Sequence, residues 1–483
     1  MALKVYNYLS RELEPFRPVQ RDRVHIYVCG PTVYDHSHLG HAKTYVAMDV
    51  IVRYFMYLGY KVRHVRNITD VGHLLDNGED RIARGVRRER IDPMELVETY
   101  MASYLRDMDA LNVLRPHILP RAACHIPEII AWTQALLDQG FAYEVNGNVY
   151  FSIEKFPEYG KLSRRVVEDL EAGARVQVRE EKRNPADFAL WKRADPEHIM
   201  RWPSPWGEGY PGWHIECSVM ATKYLGTTFD IHGGGLENIF PHNECEIAQA
   251  EAHDPDARFA NYWLLVGSLT VSGTKMSKSL GNFLTIQEAL QLYTPEAIRY
   301  FILSGHYRGP VDFSRDALQA AQQGIQRLHN TARKLRQQMK QAPPAGTAIL
   351  SQVAGLEDYR EAFQTCMDDD FNTPQALATL FDFVKEVNRQ LDQSDELRMG
   401  TLAAMDKIFS DLAGKVLGIL PEKLTDPVGG ETLDSLVGYL AELRQEARSA
   451  KNWSQADAIR SRLTEMGIIL EDGADGTHWR IEA

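Results

Sequence analysis

The chain has 483 residues, 44% of them hydrophobic, with 54 Lys and Arg against 66 Asp and Glu for a formal net charge of −12. That is enough apolar content for several cores, and a charge that argues against holding nucleic acid by bulk attraction, although a local basic strip would still serve. No apolar run is long enough to span a bilayer, and the start, Ala2-Leu3-Lys4-Val5-Tyr6, lacks an apolar signal core, so no membrane and a cytoplasmic setting are expected. Five cysteines, Cys29, Cys124, Cys217, Cys245 and Cys366, form no paired spacing, which favours a reduced compartment over a disulfide framework.

Val24 to Cys29 reads as a buried strand. Ala42, Tyr45, Val46, Asp49, Val50, Tyr54 and Leu58 recur at mostly helical spacing, Gly59 predicts a left-handed cap, and Lys61 to Thr69 alternates as a returning strand. This unit places the loop 30–41 at the carboxyl end of the first strand, where open α/β sheets take their ligands. A helix amino terminus there offers unpaired N–H groups. Gly40 in His38-Leu39-Gly40-His41 lets a nucleotide approach the backbone, and both histidines can donate to phosphate as charge develops. On its own the motif is better explained as two solvated histidines around a turn glycine.

From about 121 to 205 the sequence reads as an insertion, closed by Arg201-Trp202-Pro203-Ser204-Pro205-Trp206. Cys217 then follows Gly212-Trp213-His214-Ile215-Glu216, and a further cluster runs Phe240-Pro241-His242-Asn243-Glu244-Cys245-Glu246. Together with Cys29, these separated segments offer soft and borderline donors that suggest zinc. No local CxxC supports it, and cysteines acting as small buried apolar residues fit too. His242 shares a helix face with both Cys245 and Glu246, so spacing leaves the ligands open. Tyr262 to Val266 reads as another strand, leading to the loop Lys275-Met276-Ser277-Lys278-Ser279 between Gly273 and Gly281, whose lysines can close on a pyrophosphate group.

Mainly helical sequence follows, broken at 341–347, and the linker Pro421 to Thr432 precedes a small module. In it Leu433 to Ala450 is a predicted helix, Ser454 caps a second, Gly467 ends that one, and Ile468 to Asp472 pairs with His478 to Glu482 as a hairpin. Phosphate-facing strips are expected at Arg81, Arg84, Arg87, Arg88 and Arg90 and along Arg327, Arg333, Lys334, Arg336 and Lys340, with solvated helix faces as the alternative. The module adds Arg444, Arg448, Lys451 and Arg460, with Trp453 and Trp479 as aromatic surfaces for bases or as core.

The order HLGH then KMSKS resembles the two ATP signatures of the class I aminoacyl-tRNA synthetases. The segments Tyr27 to Asp35, Asn67 to Asp70, Gly212 to Ser218, Asp230-Ile231-His232-Gly233-Gly234-Gly235, Phe240 to Glu246 and Asp369 to Pro374 resemble the cysteinyl-tRNA synthetases, over nearly the whole chain. The resemblance implies an α/β fold: a Rossmann-like parallel-sheet catalytic domain at 1–120 and 206–266 around the 121–205 insertion, a KMSKS and stem-contact region at 267–315, a tRNA-binding helical bundle at 316–420, and an α+β anticodon-binding module at 433–483. It implies a monomeric ligase that activates L-cysteine with ATP and Mg2+ to cysteinyl adenylate and transfers it to the 3′ end of tRNA(Cys).

By the same resemblance His38, His41, Lys275 and Lys278 would be catalytic, and Thr32, His38, Gly40, His41, His232, Gly233, Lys275, Ser277 and Lys278 would bind ATP. Thr69 and Trp213 would meet cysteine, and Trp479 and Arg480 would meet tRNA. Cys29, Cys217, His242 and Glu246 would hold one zinc per chain, selecting the cysteine thiolate. Asn243 stands where a second histidine is usual and Cys245 where asparagine is usual, which questions the surroundings of the ligands. The stretch 70–80 is longer than in some relatives. A ligase joining cysteine to an amino sugar would share both ATP motifs and the zinc but lack the terminal module. A non-catalytic tRNA-binding protein would have little reason to keep His38, His41, Lys275 and Lys278 together.

Overall fold

The computed structural model describes residues 2–72, 81–165, 181–195, 198–271, 273–275, 283–342, 350–393, 397–424, 430–473 and 476–481. Met276 to Asn282, with Ser277 and Lys278, and most of the 70–80 stretch lie outside the described residues; for Lys275 and Arg480 only the backbone is described. The chain forms two compact units, Met1–Glu422 and Lys423–Ala483.

In the first unit a short hairpin, β1 (Lys4–Asn7) with β2 (Glu12–Pro15), precedes β3 (Arg23–Val28), α1 (Leu39–Tyr57) and β4 (Lys61–Arg66). The predicted strand–helix–strand unit is present, and Gly59, at φ +89°, ends α1. Its N–H donates to Met56 O at 3.0 Å and that of Tyr60 to Phe55 O at 3.0 Å, a Schellman closure that needs a residue without Cβ. Helices α2 (Arg81–Glu89), α3 (Pro93–Ala110) and α4 (Ile126–Asp138) follow, then β5 (Ala142–Val145), β6 (Asn148–Phe151), β7 (Phe188–Arg193) and β8 (Gly209–Pro211) in one antiparallel sheet. The chain returns through α5 (Ile215–Leu225), β9 (Phe229–Gly235), α6 (His242–His253) and β10 (Ala260–Val266).

The central sheet is parallel, in the order β10-β9-β3-β4. β9 is buried along its whole length, as expected of a strand covered on both faces. The connection β3-α1-β4 runs one way from the middle of the sheet and β9-α6-β10 the other, so the crevice lies between β3 and β9, at the switch in strand order. A small second sheet joins β11 (Leu269–Val271), β12 (Thr274–Lys275) and β13 (Val311–Phe313). Between its strands come α7 (Ile286–Leu292) and α8 (Pro295–Leu303), and after it α9 (Arg315–Gln341), α10 (Leu350–Asp368), α11 (Thr373–Gln393) and α12 (Met399–Ile408), the last running into a π-helical turn, Phe409–Val416. Buried Asp49 of α1 accepts from Arg53 Nε and Arg299 Nη2, both at 2.7 Å, and Arg299 also donates to Leu417 O, tying α1 to the end of this bundle. The basic strip expected along α9 is partly consumed by such pairing: Lys334 pairs with Asp392, and Arg336 with Asp406 at 2.7 Å.

The second unit contains α13 (Gly430–Ser449), α14 (Trp453–Glu465) and the hairpin β14 (Ile468–Gly473) with β15 (Gly476–Ile481). Its core is Val437, Leu463, Ile468 and Leu470, with Trp479 half-buried against them. Trp453 is 58% exposed, so of the two tryptophans only Trp479 takes the core role. Arg444, expected to face phosphate, is buried. The cap of α14 is Asn452, not Ser454: the side-chain Oδ1 of Asn452 accepts from Gln455 N at 3.3 Å, and Ser454 lies inside the first turn. Asn452→Ala is therefore expected to cost about 1 kcal/mol in the unfolding of this unit while Ser454→Ala costs little, read by denaturant titration. Equal losses would overturn the assignment of the cap to Asn452.

Candidate active site and metal-binding group

The carboxyl end of β3 delivers Cys29, the first turn of α5 delivers Cys217, and one face of α6 delivers His242 and Glu246 at i and i+4. One donor atom from each lies within 4.8 Å of the others, and all four residues are buried. Tetrahedral donors about 2.0–2.3 Å from a zinc ion stand roughly 3.3–3.8 Å apart, so a small contraction would close this group on a cation. His242 Nε2 is 3.1 Å from Glu246 Oε1, and Cys29 Sγ is 3.7 Å from the same oxygen.

The protonation pattern fits a cation site. The hydrogen bond with Cys217, then burial and Glu246, holds the Cys29 thiol well above its ordinary range, while the hydrogen bond received from Cys29 lowers that of Cys217 against the opposing effect of burial. Burial works against a charge on His242, but Glu246 and Cys217 outweigh it and raise the imidazole to about 9. Glu246 is lowered in spite of burial by His232 and His242. The group thus favours anionic donors beside a protonated His242, and a divalent ion could replace the protons.

Residues around the group hold it. His232 Nε2 lies 2.7 Å from Glu246 Oε2, with its ring stacked 4.2 Å from that of Trp263, and Asn243 Nδ2 donates to Glu246 Oε1 at 2.9 Å. His232, implied as an ATP contact, has its side chain turned to the carboxylate, and Asn243 fixes the second oxygen. Cys245 leaves the group: its Sγ is 3.4 Å from Tyr159 OH. His214 and His242 meet through Nδ1 atoms 2.9 Å apart, and the Trp213 ring lies 4.8 Å from that of His242. The roles of His232 and His214 around the donors were not visible in the sequence, because each depends on a partner 14 or 28 residues away on another element, whereas Asn243 reaches Glu246 from i to i+3 on one helix.

Beside the group, Thr69 N donates to Pro31 O at 3.1 Å and Val33 N to Thr69 O at 3.2 Å, extending the β3–β4 pairing past the strands and seating Thr32 against Thr69. Thr69 Oγ1 donates to buried Glu216 at 3.0 Å. Gly233 faces α1, where a Cβ would come within 2.4 Å of the Met48 methyl, so its lack of a side chain serves strand–helix packing.

At the start of α1, His38 Nδ1 accepts from Gly40 N at 3.1 Å, and His41 Nδ1 accepts from His38 N at 3.2 Å. The two imidazoles close the first turn as a capping box, rings 3.9 Å apart. A Cβ on Gly40 would come within 2.8 Å of the His38 ring, so the glycine lets that ring fold back. Leu39 N donates to Leu284 O at 3.0 Å and Ile286 N to Ser37 O at 2.9 Å, which brings the chain returning from 276–282 alongside the two histidines.

The solved Mycobacterium tuberculosis methionyl-tRNA synthetase, described as a complex with methionyl-adenylate, matches with a TM-score of 0.62 over 86% of this chain and 93% of that one, at 15% identity, and so shares the fold. The parallel sheet with its histidine-capped helix, together with a match to the class I catalytic-domain family, makes this a class I aminoacyl-tRNA synthetase. The tRNA synthetases class I (C) catalytic domain matches residues 15–323, the DALR domain 362–421 and the cysteinyl-tRNA ligase anticodon binding domain 441–480. The cysteine–tRNA ligase of Chlorobium luteolum is 51% identical, covering 99% of both chains, and that of Thermus thermophilus 49%, covering 100% of both. The chain belongs to the cysteine–tRNA ligase family. Among the described residues no helix is long and apolar enough to cross a membrane.

Proposed function

We propose that Cys29, Cys217, His242 and Glu246 hold one zinc ion, and that this ion selects cysteine for activation by ATP and transfer to tRNA(Cys). The observation that carries the reading is the buried convergence of two thiols, one imidazole and one carboxylate within 4.8 Å at the end of β3. When bound, zinc supplies a borderline-soft Lewis acid that favours an ionised thiol over a hydroxyl of similar size. Pocket shape alone would discriminate only about a hundredfold against such an isostere.

The residues of the chain do the rest. His232 and Asn243 keep both Glu246 oxygens oriented, and His214 and Trp213 fix the His242 ring. Thr69 and Trp213 border the space left for the amino acid. ATP, carried with Mg2+, meets Thr32 and the start of α1, where its phosphates take over the first-turn N–H groups from the His38 and His41 rings and free both imidazoles to donate. Gly40 keeps that approach open, His232 and Gly233 lie on the adenosine side, and Lys275, Ser277 and Lys278 close on the pyrophosphate. Trp479 and Arg480 face the anticodon loop, and the protein works as a monomer in the cytoplasm.

Purified protein should contain about one zinc per chain. Cys217→Ser should lose the metal together with cysteine-dependent ATP–pyrophosphate exchange, whereas Cys245→Ser should keep both. Metal content by atomic spectroscopy settles the assignment: loss from Cys245→Ser with retention in Glu246→Ala would overturn it.

A further inference from the structure

Lys43 lies on α1 two residues beyond His41, and it is only 2% exposed. Its Nζ donates to Gly267 O at 2.5 Å, Gly309 O at 2.5 Å and Ser268 O at 3.2 Å. Among the described residues no carboxylate lies within ion-pair distance of it. An ammonium buried without a counterion is costly, and the adjoining space, lined by Ala47, Val50, Ile302 and Leu303, would suit an apolar side chain. Burial lowers its pKa to about 8, against a smaller opposing pull from Glu237. Packing of α1 alone therefore does not account for a charge at this position.

The three carbonyls identify what the charge holds. Gly267 and Ser268 join the end of β10 in the catalytic sheet to β11 in the small sheet, and β11 leads through β12 directly into 276–282. Gly309 belongs to the strand of chain beside them: Gly267 N donates to Tyr307 O at 2.8 Å and Val311 N to Ser268 O at 3.1 Å. The two chains approach so closely that a Cβ on Gly267 would fall 2.5 Å from Arg308 O and Gly309 O. Carbonyl dipoles converging on one point repel unless a cation sits among them, and Lys43 is that cation. The returning side of 276–282 is pinned to the same helix start by the backbone bonds of Leu39 with Leu284 and Ser37 with Ile286. Both flanks of 276–282 are thus anchored to α1, the outgoing one through the bonds of Lys43.

We infer that Lys43 is a positioning residue for adenylate formation: its ammonium fixes the outgoing root of the lysine loop to α1 and so sets where Lys278 stands relative to His38 and His41. This rests on the proposed role of that loop. A shift of about 1 Å in a reacting group can cost about a hundredfold in rate. Lys43→Met is therefore expected to lower kcat of cysteine-dependent ATP–pyrophosphate exchange about a hundredfold, with the KM for cysteine and the zinc content little changed, since both depend on the end of β3. Lys43→Arg, keeping charge and donors, should recover about tenfold of the loss.

The decisive measurement is the double variant with Lys278→Ala. If Lys43 acts through the loop, adding Lys43→Met to Lys278→Ala costs less than about threefold more, because the group being positioned is gone. A full hundredfold further loss, or wild-type exchange in Lys43→Met alone, overturns the inference. Should Lys43→Met fail to fold, Lys43→Gln, which keeps a donor without the charge, is read in the same way. Unchanged exchange in Lys278→Ala instead removes the loop reading itself, so the two failures are distinguishable.

Discussion

Lys278→Ala should lose about a thousandfold in cysteine-dependent ATP–pyrophosphate exchange while cysteine binding stays within about twofold of the wild type. The size follows from the task. Charge grows on the leaving pyrophosphate only as the bond to the α-phosphate breaks, and removing one preorganised donor to such a developing charge costs roughly 10² to 10³ in kcat. An interaction made only there lowers turnover and leaves ground-state affinity alone. Cysteine is spared because its expected contacts belong to the donor group: Thr69 Oγ1 donates to Glu216, next to Cys217, and the Trp213 ring lies against that of His242. Pre-steady-state formation of the adenylate, measured by quench with labelled ATP, separates this step from tRNA transfer. A mutant that forms adenylate at the wild-type rate would take Lys278 out of the chemistry, whatever its effect on charging.

The sequence revealed most where chemistry and local geometry coincide. The unit from β3 to β4 was readable because an apolar run, a helical repeat and a stop glycine follow one another within 46 residues. Its first turn was not, since the cap is a histidine pair whose rings accept backbone N–H groups, a use of imidazole that propensity does not anticipate. The donor group shows the same division. Cys29, Cys217 and the 242–246 cluster stood out by residue type, but the choice of Glu246 over Cys245 came from resemblance. In the fold it is made by Tyr159, which takes the Cys245 thiol into a separate contact, and by His232 and Asn243, which turn Glu246 inward. His232 was a nucleotide neighbour by resemblance alone, and the contact of its ring with a carboxylate on the next helix had no signal in the sequence.

Charged residues were the least legible, since a sequence gives the charge and not the partner. Lys334, Arg336 and Arg444 read as phosphate-facing and are paired or buried. Lys43, which no pattern in the sequence singles out, is buried among carbonyls. Any map of the tRNA surface drawn from basic residues alone would therefore include groups already committed to the protein's own fold.

Ending the chain after Glu422 should leave ATP–pyrophosphate exchange within about twofold of the full protein and lower charging of tRNA(Cys) by roughly two orders of magnitude. The cut removes the second compact unit entire and crosses no helix or strand of the first. The donor group, the histidine cap and the loop roots all lie before it, so the adenylate step keeps its machinery. What is lost is the region that matches the cysteinyl-tRNA ligase anticodon binding domain, residues 441–480. The unit's exposed aromatic surface, Tyr439 and Trp453, both 58% accessible, together with the half-buried edge of Trp479, offers platforms for unstacked loop bases. Stacking is worth about 1–3 kcal/mol per base, so one or two bases amount to roughly fivefold to more than ten-thousandfold. That energy is remote from the reacting carbonyl, and its loss should appear in kcat/KM for tRNA with the anticodon no longer mattering. Charging assays with tRNA(Cys) and an anticodon-substituted transcript provide the comparison. If the shortened chain charges the normal tRNA as well as the full one, or still rejects the altered anticodon, the terminal unit is not the reader and the discrimination must reside in the helices between 315 and 420.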